Sequence, residues 1–174
     1  FCFTIKHQNS QDFSTITGLY NHRYFQDSMD QELNRAQRYK KPFSLIMLDL
    51  DHFKKINDNY GHPVGDIVLK EVSKAIKNTI RDCDIAARYG GEEFAIVLPE
   101  TELKGAAIVA ERLRRNVECL KTKANDLCVN ATISVGVTCY IASSGKKEKS
   151  EIISKADNAL YNSKKNGRNM ISIH

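Results

Sequence analysis

Acidic residues follow a glycine pair at one point in the chain, where they could bind a cation or a phosphate. Glu92 and Glu93 come directly after the glycines at 90–91, between strand-like runs at 84–87 and 94–98. Two glycines between two strands predict a tight β-hairpin, because glycine takes positive φ without steric cost and lets a ligand approach the backbone. Adjacent strand residues point to opposite faces, so one carboxylate can face a ligand. An ordinary exposed hairpin with solvated acids is the alternative.

A second acidic pair, Asp49 and Asp51, ends an apolar run at 43–48. An unbroken apolar run predicts a central strand that is covered on both faces, and open α/β sheets bind ligands at the carboxyl ends of such strands. If this strand neighbours the hairpin, Asp49 and Glu92 converge, and two carboxylates with phosphate oxygens suit a hard cation such as Mg²⁺. The alternative for Asp49 and Asp51 is capping of the following helix.

Six separate motifs, in order, carry a resemblance to one family. They are Thr-Gly-Leu-Tyr-Asn at 17–21, Asp-Leu-Asp-His-Phe-Lys at 49–54, Asn-Asp at 57–58, Gly-His-Pro-Val-Gly-Asp at 61–66, Gly-Gly-Glu-Glu-Phe at 90–94 and Gly-Arg-Asn at 167–169. From about residue 14 to the C-terminus the chain resembles a GGDEF domain of the diguanylate cyclase family, in the Gly-Gly-Glu-Glu-Phe form. The resemblance implies a palm-like α/β (α+β) fold with a central, mainly antiparallel sheet of about five strands flanked by helices.

The resemblance also implies a reaction. Two domains, each with one GTP, would face each other as a homodimer and form cyclic di-GMP and two pyrophosphates. Asp49, the Leu50 carbonyl and Glu92 would hold Mg²⁺ or Mn²⁺, which lowers the pKa of the attacking ribose 3′-hydroxyl. Glu93 would assist deprotonation or metal binding. The alternatives are a silent receptor that binds GTP or cyclic di-GMP, and a dimerising interaction module whose nucleotide site is incidental.

Asn57 and Asp66 are the candidates for guanine recognition that the resemblance implies. A carboxylate accepts hydrogen bonds from guanine N1–H and N2–H₂, a donor pair that adenine lacks, so Asp66 favours GTP over ATP. An acid in the first turn of a helix is the alternative for Asp66. His62 either contacts the substrate or shapes its loop. The other implied substrate residues are Phe53, Lys54, Gly90, Gly91, Lys164 and Arg168. Charges at a helix C-terminus are the alternative for Lys164 and would suit Lys165 equally.

An Arg-x-x-Asp motif, Arg81 to Asp84, lies six residues before Gly90. In the family this motif forms the product-inhibition site, and Arg112 matches a second arginine of the inhibited dimer. Ile108 stands where some members have another arginine, so the strength of inhibition is left open. Two further departures are Ser14, where the family usually has aspartate, and His22, where it usually has arginine. They predict an altered N-terminal contact without lost catalysis.

The length and composition of the 174-residue chain fit one well-buried domain, which we assign to 14–174. Residues 1–13 match nothing in the family core and are interpreted as the end of an upstream sensor or linker, or as a frayed tail.

The net charge of +5 is compatible with a polyphosphate substrate but does not indicate a nucleic-acid groove. No apolar run approaches 18 residues and no signal peptide is present, so we expect no membrane contact by this domain. Five scattered cysteines predict reduced thiols in the cytoplasm and no zinc site.

Periodicity and turn residues predict the remaining elements. Helices are expected over residues 21–38, 52–58, 64–80, 103–120 and 150–165, and one alternating strand over 129–140, followed by a loop at 143–149.

Overall fold

The computed structural model describes residues 10–124, 127–142 and 148–174. Most of the predicted upstream segment and of the 143–149 loop lies outside these residues. The helices are α1 (His22–Tyr39), α2 (Phe53–Tyr60), α3 (His62–Thr79), α4 (Leu103–Glu118) and α5 (Lys149–Lys165), preceded by a 3₁₀ turn (Ser10–Asp12). The strands are β1 (Phe43–Leu50), β2 (Ile85–Arg88), β3 (Glu93–Pro99), β4 (Thr122–Ala124), β5 (Leu127–Val129), β6 (Ile133–Tyr140) and β7 (Ile171–Ile173).

Five strands form the main sheet in the order β2-β3-β1-β6-β7, and helices cover it. All pairs are antiparallel except β6 with β7. The predicted fold class is therefore confirmed. Strand β1 lies at the centre and is buried at all eight positions, as its continuous apolar run predicted.

The two faces of β1 pack against different helices. Ile46, Leu48 and Leu50 join a core cluster with side chains of α3 and α4. The alternate residues Leu45 and Met47 pack with α1 and α5. Because side chains of a strand alternate between faces, Asp49 falls on the side of α1 and α5.

The region before β6 differs from the prediction of a single strand over 129–140. The chain forms β5, leaves it after Val129 and begins β6 only at Ile133; β5 pairs with the unpredicted β4 in a separate two-stranded sheet. The backbone N–H of Asp51 donates to the Thr132 carbonyl at 2.9 Å, so the pairing of this segment with the end of β1 reaches back to Thr132. The short strand β7 was also not predicted.

The segment before α1 is hydrogen-bonded to the edge of β2. Tyr20 donates to the Ala86 carbonyl at 3.1 Å and accepts from the Arg88 N–H at 2.7 Å. Ser14 and His22 are the two positions of this segment that depart from the family pattern. Near them an ion pair joins Asp12 to Arg23 at 3.1 Å. The His22 ring lies 4.8 Å from the ring of Tyr89, beside the glycine turn.

Within the described residues, no helix is long and apolar enough to cross a membrane. The four cysteines of the described chain, Cys83, Cys119, Cys128 and Cys139, are free thiols.

Candidate active site

Four of the predicted catalytic and metal residues meet at one end of two adjacent strands. Asp49 lies opposite Glu93 in the register of β1 with β3. One residue further, the Leu50 N–H donates to the Glu92 carbonyl at 3.3 Å. Directly opposed residues of an antiparallel pair have Cα atoms about 4.5–5.5 Å apart. Asp49, Leu50, Glu92 and Glu93 are therefore neighbours although more than 40 residues of chain separate the two halves.

The acids of this cluster raise each other's pKa. Burial raises the pKa of Asp49, the nearby charges of Glu93 and Asp51 raise it further, and the Lys164 ammonium, 2.8 Å from Asp49 Oδ2, opposes the rise. Burial and the charge of Asp49 likewise raise the pKa of Glu92. Part of both shifts comes from neighbouring carboxylates, so a bound cation would relieve repulsion at this point.

The donor set fits a hard cation that shares its coordination with a substrate. Among residues 10–124, 127–142 and 148–174, no group of three or more His, Cys, Asp or Glu side chains could hold a metal alone. Two carboxylates and a main-chain carbonyl are all oxygen donors, and Mg²⁺ typically takes one or two carboxylates and completes its shell with phosphate oxygens and water. Asp49, Leu50 and Glu92 match that pattern.

The glycine turn is not built as its sequence predicted. Positive φ among the described glycines occurs at Gly18, Gly61 and Gly167, and not at Gly90 or Gly91. A Cβ at Gly90 would lie 2.6 Å from Glu93 Oε2, so a side chain at this position would displace the end of the Glu93 side chain. The Arg88 guanidinium fixes the other side of the turn by donating to the Gly91 carbonyl from Nε at 3.1 Å and Nη2 at 2.6 Å.

The Asp51 side chain accepts hydrogen bonds from residues at the start of β6 and does not cap a helix. Helix α2 has no side-chain cap, so the capping alternative for Asp49 and Asp51 is wrong. Asp51 is 5% exposed and accepts from Thr132 Oγ1 at 2.7 Å, Ser134 Oγ at 2.6 Å and the Asn169 N–H at 3.0 Å. Sequence reasoning missed these three partners. The only signal was the Asp-x-Asp spacing, which puts a second acid on the same face, where a buried carboxylate must find donors.

A buried polar atom without a partner lies between α2 and α3. Asn57 Oδ1 is buried without a hydrogen-bond partner, and it lies so close to Gly65 that a Cβ there would overlap it. An unpaired buried acceptor is costly and marks a place for a ligand donor. The Phe53 ring is buried in the core, so only its backbone can reach a ligand.

Three other predicted substrate residues surround this region. Asp66 lies in the second turn of α3, whose first turn holds no acid, so the first-turn alternative is wrong. His62 is the first residue of α3, and both His62 and Lys54 are exposed. Their contacts with substrate stay predictions.

The phosphate-binding candidates lie at the end of α5. Lys164 contacts Asp49, whereas Lys165 is exposed, so the two lysines are not equivalent as helix-end charges. Arg168 is exposed and follows in a turn with positive φ at Gly167, Arg168 and Asn169. The turn thus presents Arg168 a few residues beyond Lys164.

Comparison with known proteins decides the family. The model of the family "Diguanylate cyclase, GGDEF domain" matches residues 12–170. The chain belongs to the diguanylate cyclase GGDEF family. Diguanylate cyclase A of Treponema denticola is 45% identical over 141 residues, which are 81% of this chain and 38% of that protein. The chain thus spans little more than a third of that relative.

Solved GGDEF structures share the fold over nearly their whole length. The GGDEF domain of DgcB from Caulobacter crescentus, in complex with c-di-GMP, has a TM-score of 0.88 at 31% identity and covers 95% of this chain and 97% of that one. The active GGEEF domain of a diguanylate cyclase from Vibrio cholerae has a TM-score of 0.82 at 34% identity, covering 88% and 96%.

The predicted inhibition residues of this GGDEF domain lie in the turn after α3 and on the neighbouring helix α4. The Asp84 carboxylate accepts from the Arg81 backbone N–H at 2.8 Å, and burial raises the pKa of Asp84. Arg112 Nη2 donates to the Thr79 carbonyl at 2.6 Å, which holds α4 against the same end of α3. Ile108, one turn before Arg112, is 60% exposed. Arg81, Asp84 and Arg112 are therefore close in the fold, but their role in inhibition stays a prediction.

Gly65→Ala should weaken GTP binding about tenfold, because the new methyl group overlaps Asn57 Oδ1 and must displace that side chain from the pocket. Binding of a non-hydrolysable GTP analogue, measured by calorimetry, checks this. Gly105→Ala, in α4 and outside the predicted nucleotide site, is the matched control, since a Cβ there meets only the methyl group of Thr101, at 3.2 Å. If the Gly65→Ala variant melts as wild type does and also binds the analogue as tightly, Asn57 does not contact the base.

Proposed function

We propose that this GGDEF domain is a diguanylate cyclase, which condenses two GTP into cyclic di-GMP and two pyrophosphates with Mg²⁺ or Mn²⁺. The supporting observation is the meeting of Asp49 and Glu92 at adjacent strand ends, with Lys164 against Asp49 and the pKa of both acids raised. Relatives named as diguanylate cyclases support the same activity.

Each predicted site residue has a separate role in this reaction. Asp49, the Leu50 carbonyl and Glu92 would hold the cation, which would supply positive charge to the triphosphate and lower the pKa of the ribose 3′-hydroxyl. Lys164 and Arg168 bind the triphosphate and neutralise the charge of the leaving pyrophosphate. Glu93, opposite Asp49, assists removal of the hydroxyl proton.

The bond changes require two facing domains. The 3′-hydroxyl oxygen of one GTP forms a bond to the α-phosphorus of the GTP on the partner domain, and the bond to pyrophosphate breaks. A second, reciprocal step closes the ring. Because each domain supplies half of the site, the active species is a homodimer, and an upstream sensor domain can regulate it by bringing two copies together in the cytoplasm.

Base selection rests on the pocket between α2 and α3. The orphaned Asn57 Oδ1 accepts from guanine, and Asp66 accepts from N1–H and N2–H₂. Adenine lacks the N1–H and N2–H₂ donor pair and would leave the Asp66 carboxylate unpaired, so the site would reject it strongly.

Incubation of the chain with GTP and Mg²⁺ over a range of protein concentrations tests the proposal. We expect two pyrophosphates per cyclic di-GMP, and a rate that rises with the square of protein concentration while the dimer is scarce. Cyclic di-GMP or GTP binding without turnover at every concentration would replace the enzyme by a receptor. No affinity for either nucleotide would leave an interaction module.

Arg81→Ala should relieve inhibition by product, raising the inhibitory cyclic di-GMP concentration at least about tenfold while the initial rate stays near that of wild type. The reason is that the guanidinium supplies charged donors to guanine or phosphate. Initial rates measured with added cyclic di-GMP check this. Arg38→Ala, an exposed arginine at the end of α1, is the control. Undiminished inhibition in Arg81→Ala would place the inhibitory site elsewhere.

A further inference from the structure

The turn that presents Arg168 has an unusual backbone. Gly167, Arg168 and Asn169 have φ of +124°, +65° and +46°. Left-handed conformations are unfavourable for residues with a Cβ, and two in succession persist only where surrounding contacts fix them. Those contacts should therefore be identifiable, and they determine where Arg168 points.

Asn169 makes them. Its backbone N–H donates to Asp51 Oδ2 at 3.0 Å. Its side-chain Oδ1 accepts from Arg114 Nη1 at 2.8 Å, and its Nδ2 donates to Glu118 Oε1 at 2.6 Å. One residue thus connects the end of β1 with the last turns of α4.

Both anchors are themselves held firmly. Asp51 is buried and also accepts from Thr132 and Ser134 of the β6 region. The Arg114 side chain is 13% exposed and binds Glu111 through two nitrogens and Glu118 through a third bond at 3.0 Å. A turn fixed between such anchors has little freedom to swing.

From these contacts we infer that Asn169 is a positioning residue of the nucleotide site. It holds the backbone that carries Arg168 in place, so that the guanidinium meets the triphosphate beside Lys164. The inference rests on the proposed function, because it takes Arg168 as a triphosphate ligand. It adds α4, through Arg114 and Glu118, to the structures on which triphosphate affinity depends.

Asn169→Asp tests it with almost no change of shape. The new carboxylate keeps the bond from Arg114 but faces the carboxylate of Glu118, so this contact becomes repulsive. Adding Glu118→Gln to the same chain makes the contact between residues 169 and 118 attractive again. The glutamine amide donates to the new aspartate, and the glutamine oxygen still accepts from Arg114. The double variant also restores the net charge. Asn166→Asp, on an exposed residue at the end of α5, is the control for added charge near the site.

Binding of a non-hydrolysable GTP analogue and of GMP, both with Mg²⁺, is the readout. We expect Asn169→Asp to weaken the analogue about tenfold and GMP less than twofold, since GMP lacks two of the three phosphates. The double variant Asn169→Asp with Glu118→Gln should recover most of the lost affinity for the analogue. Asn166→Asp should change neither affinity more than about twofold. If Asn169→Asp does not fold, Asn169→Gly, which tolerates positive φ and removes only the two side-chain bonds, carries the same expectation.

Equal losses for the analogue and GMP, unchanged affinity, or a folded double variant that recovers nothing would each overturn the positioning role. A wild-type chain without GTP affinity would instead overturn the proposed function itself. The two failures are thus distinguishable in one set of titrations.

Discussion

Glu92→Gln is expected to slow cyclic di-GMP formation about a thousandfold at saturating GTP, which corresponds to about 4 kcal/mol of transition-state stabilisation. The amide has the size of the carboxylate but no charge, and a hard cation binds neutral amides far less well than carboxylates when dehydration must be offset. Initial rates of pyrophosphate release at several Mg²⁺ concentrations check this. Additional Mg²⁺ should restore only part of the rate.

The same variant should not be unstable, which separates chemistry from folding. Burial and the charge of Asp49 raise the pKa of Glu92, so the ionised form is disfavoured in the folded chain. Removing that charge at pH 7 without divalent ions should leave the melting temperature equal to or above that of wild type. The gain should disappear as the pH is lowered, because wild-type Glu92 then takes up its proton.

Glu102→Gln, an exposed acid next to the start of α4, is the matched control and should keep the full rate. A Glu92→Gln chain that works within tenfold of wild type would remove this carboxylate from the cation site. A chain that melts well below wild type would show that Glu92 has a structural partner instead.

The sequence predicted the two elements that carry Asp49 and Glu92, and it left open whether they are neighbours. The apolar run at 43–48 predicted a central strand and the glycine pair predicted a hairpin, and the sheet order places β3 of that hairpin beside β1. The Gly-Gly-Glu-Glu-Phe turn and the Asp-Leu-Asp motif then identified the family. These signals are local, since they depend on hydrophobic pattern and turn residues within a few positions.

The support behind the site was beyond the reach of the sequence. Asp51 and Asn169 are 118 residues apart, and no periodicity states which buried carboxylate receives which N–H. Lys164 and Lys165 look alike along the chain, and only the docking of α5 on the sheet brings Lys164 to Asp49. The backbone of the glycine turn was also not predicted, because glycine serves both positive φ and close approach, and neither Gly90 nor Gly91 has positive φ.

Gly136→Ala is expected to destabilise the domain by at least about 3 kcal/mol, as overpacking of a core against backbone does. Gly136 lies in β6 opposite Met47, on the face that packs against α5. A Cβ there would overlap the Ala156 carbonyl oxygen and the Leu160 N–H nitrogen. Backbone atoms within a helix cannot turn aside as a flexible side chain can, so α5 as a whole must move away. Urea unfolding followed by circular dichroism measures the change.

Gly105→Ala, in the first turns of α4, is the matched control, because its Cβ meets only the methyl group of Thr101, at 3.2 Å. It should change stability by less than about 1 kcal/mol, since alanine favours the helix. The contrast bears on the active site, because Lys164 is one turn beyond Leu160 on the same helix. If Gly136→Ala were as stable as wild type, α5 would be free to shift on β6, and the 2.8 Å contact of Lys164 with Asp49 would not be fixed by the fold.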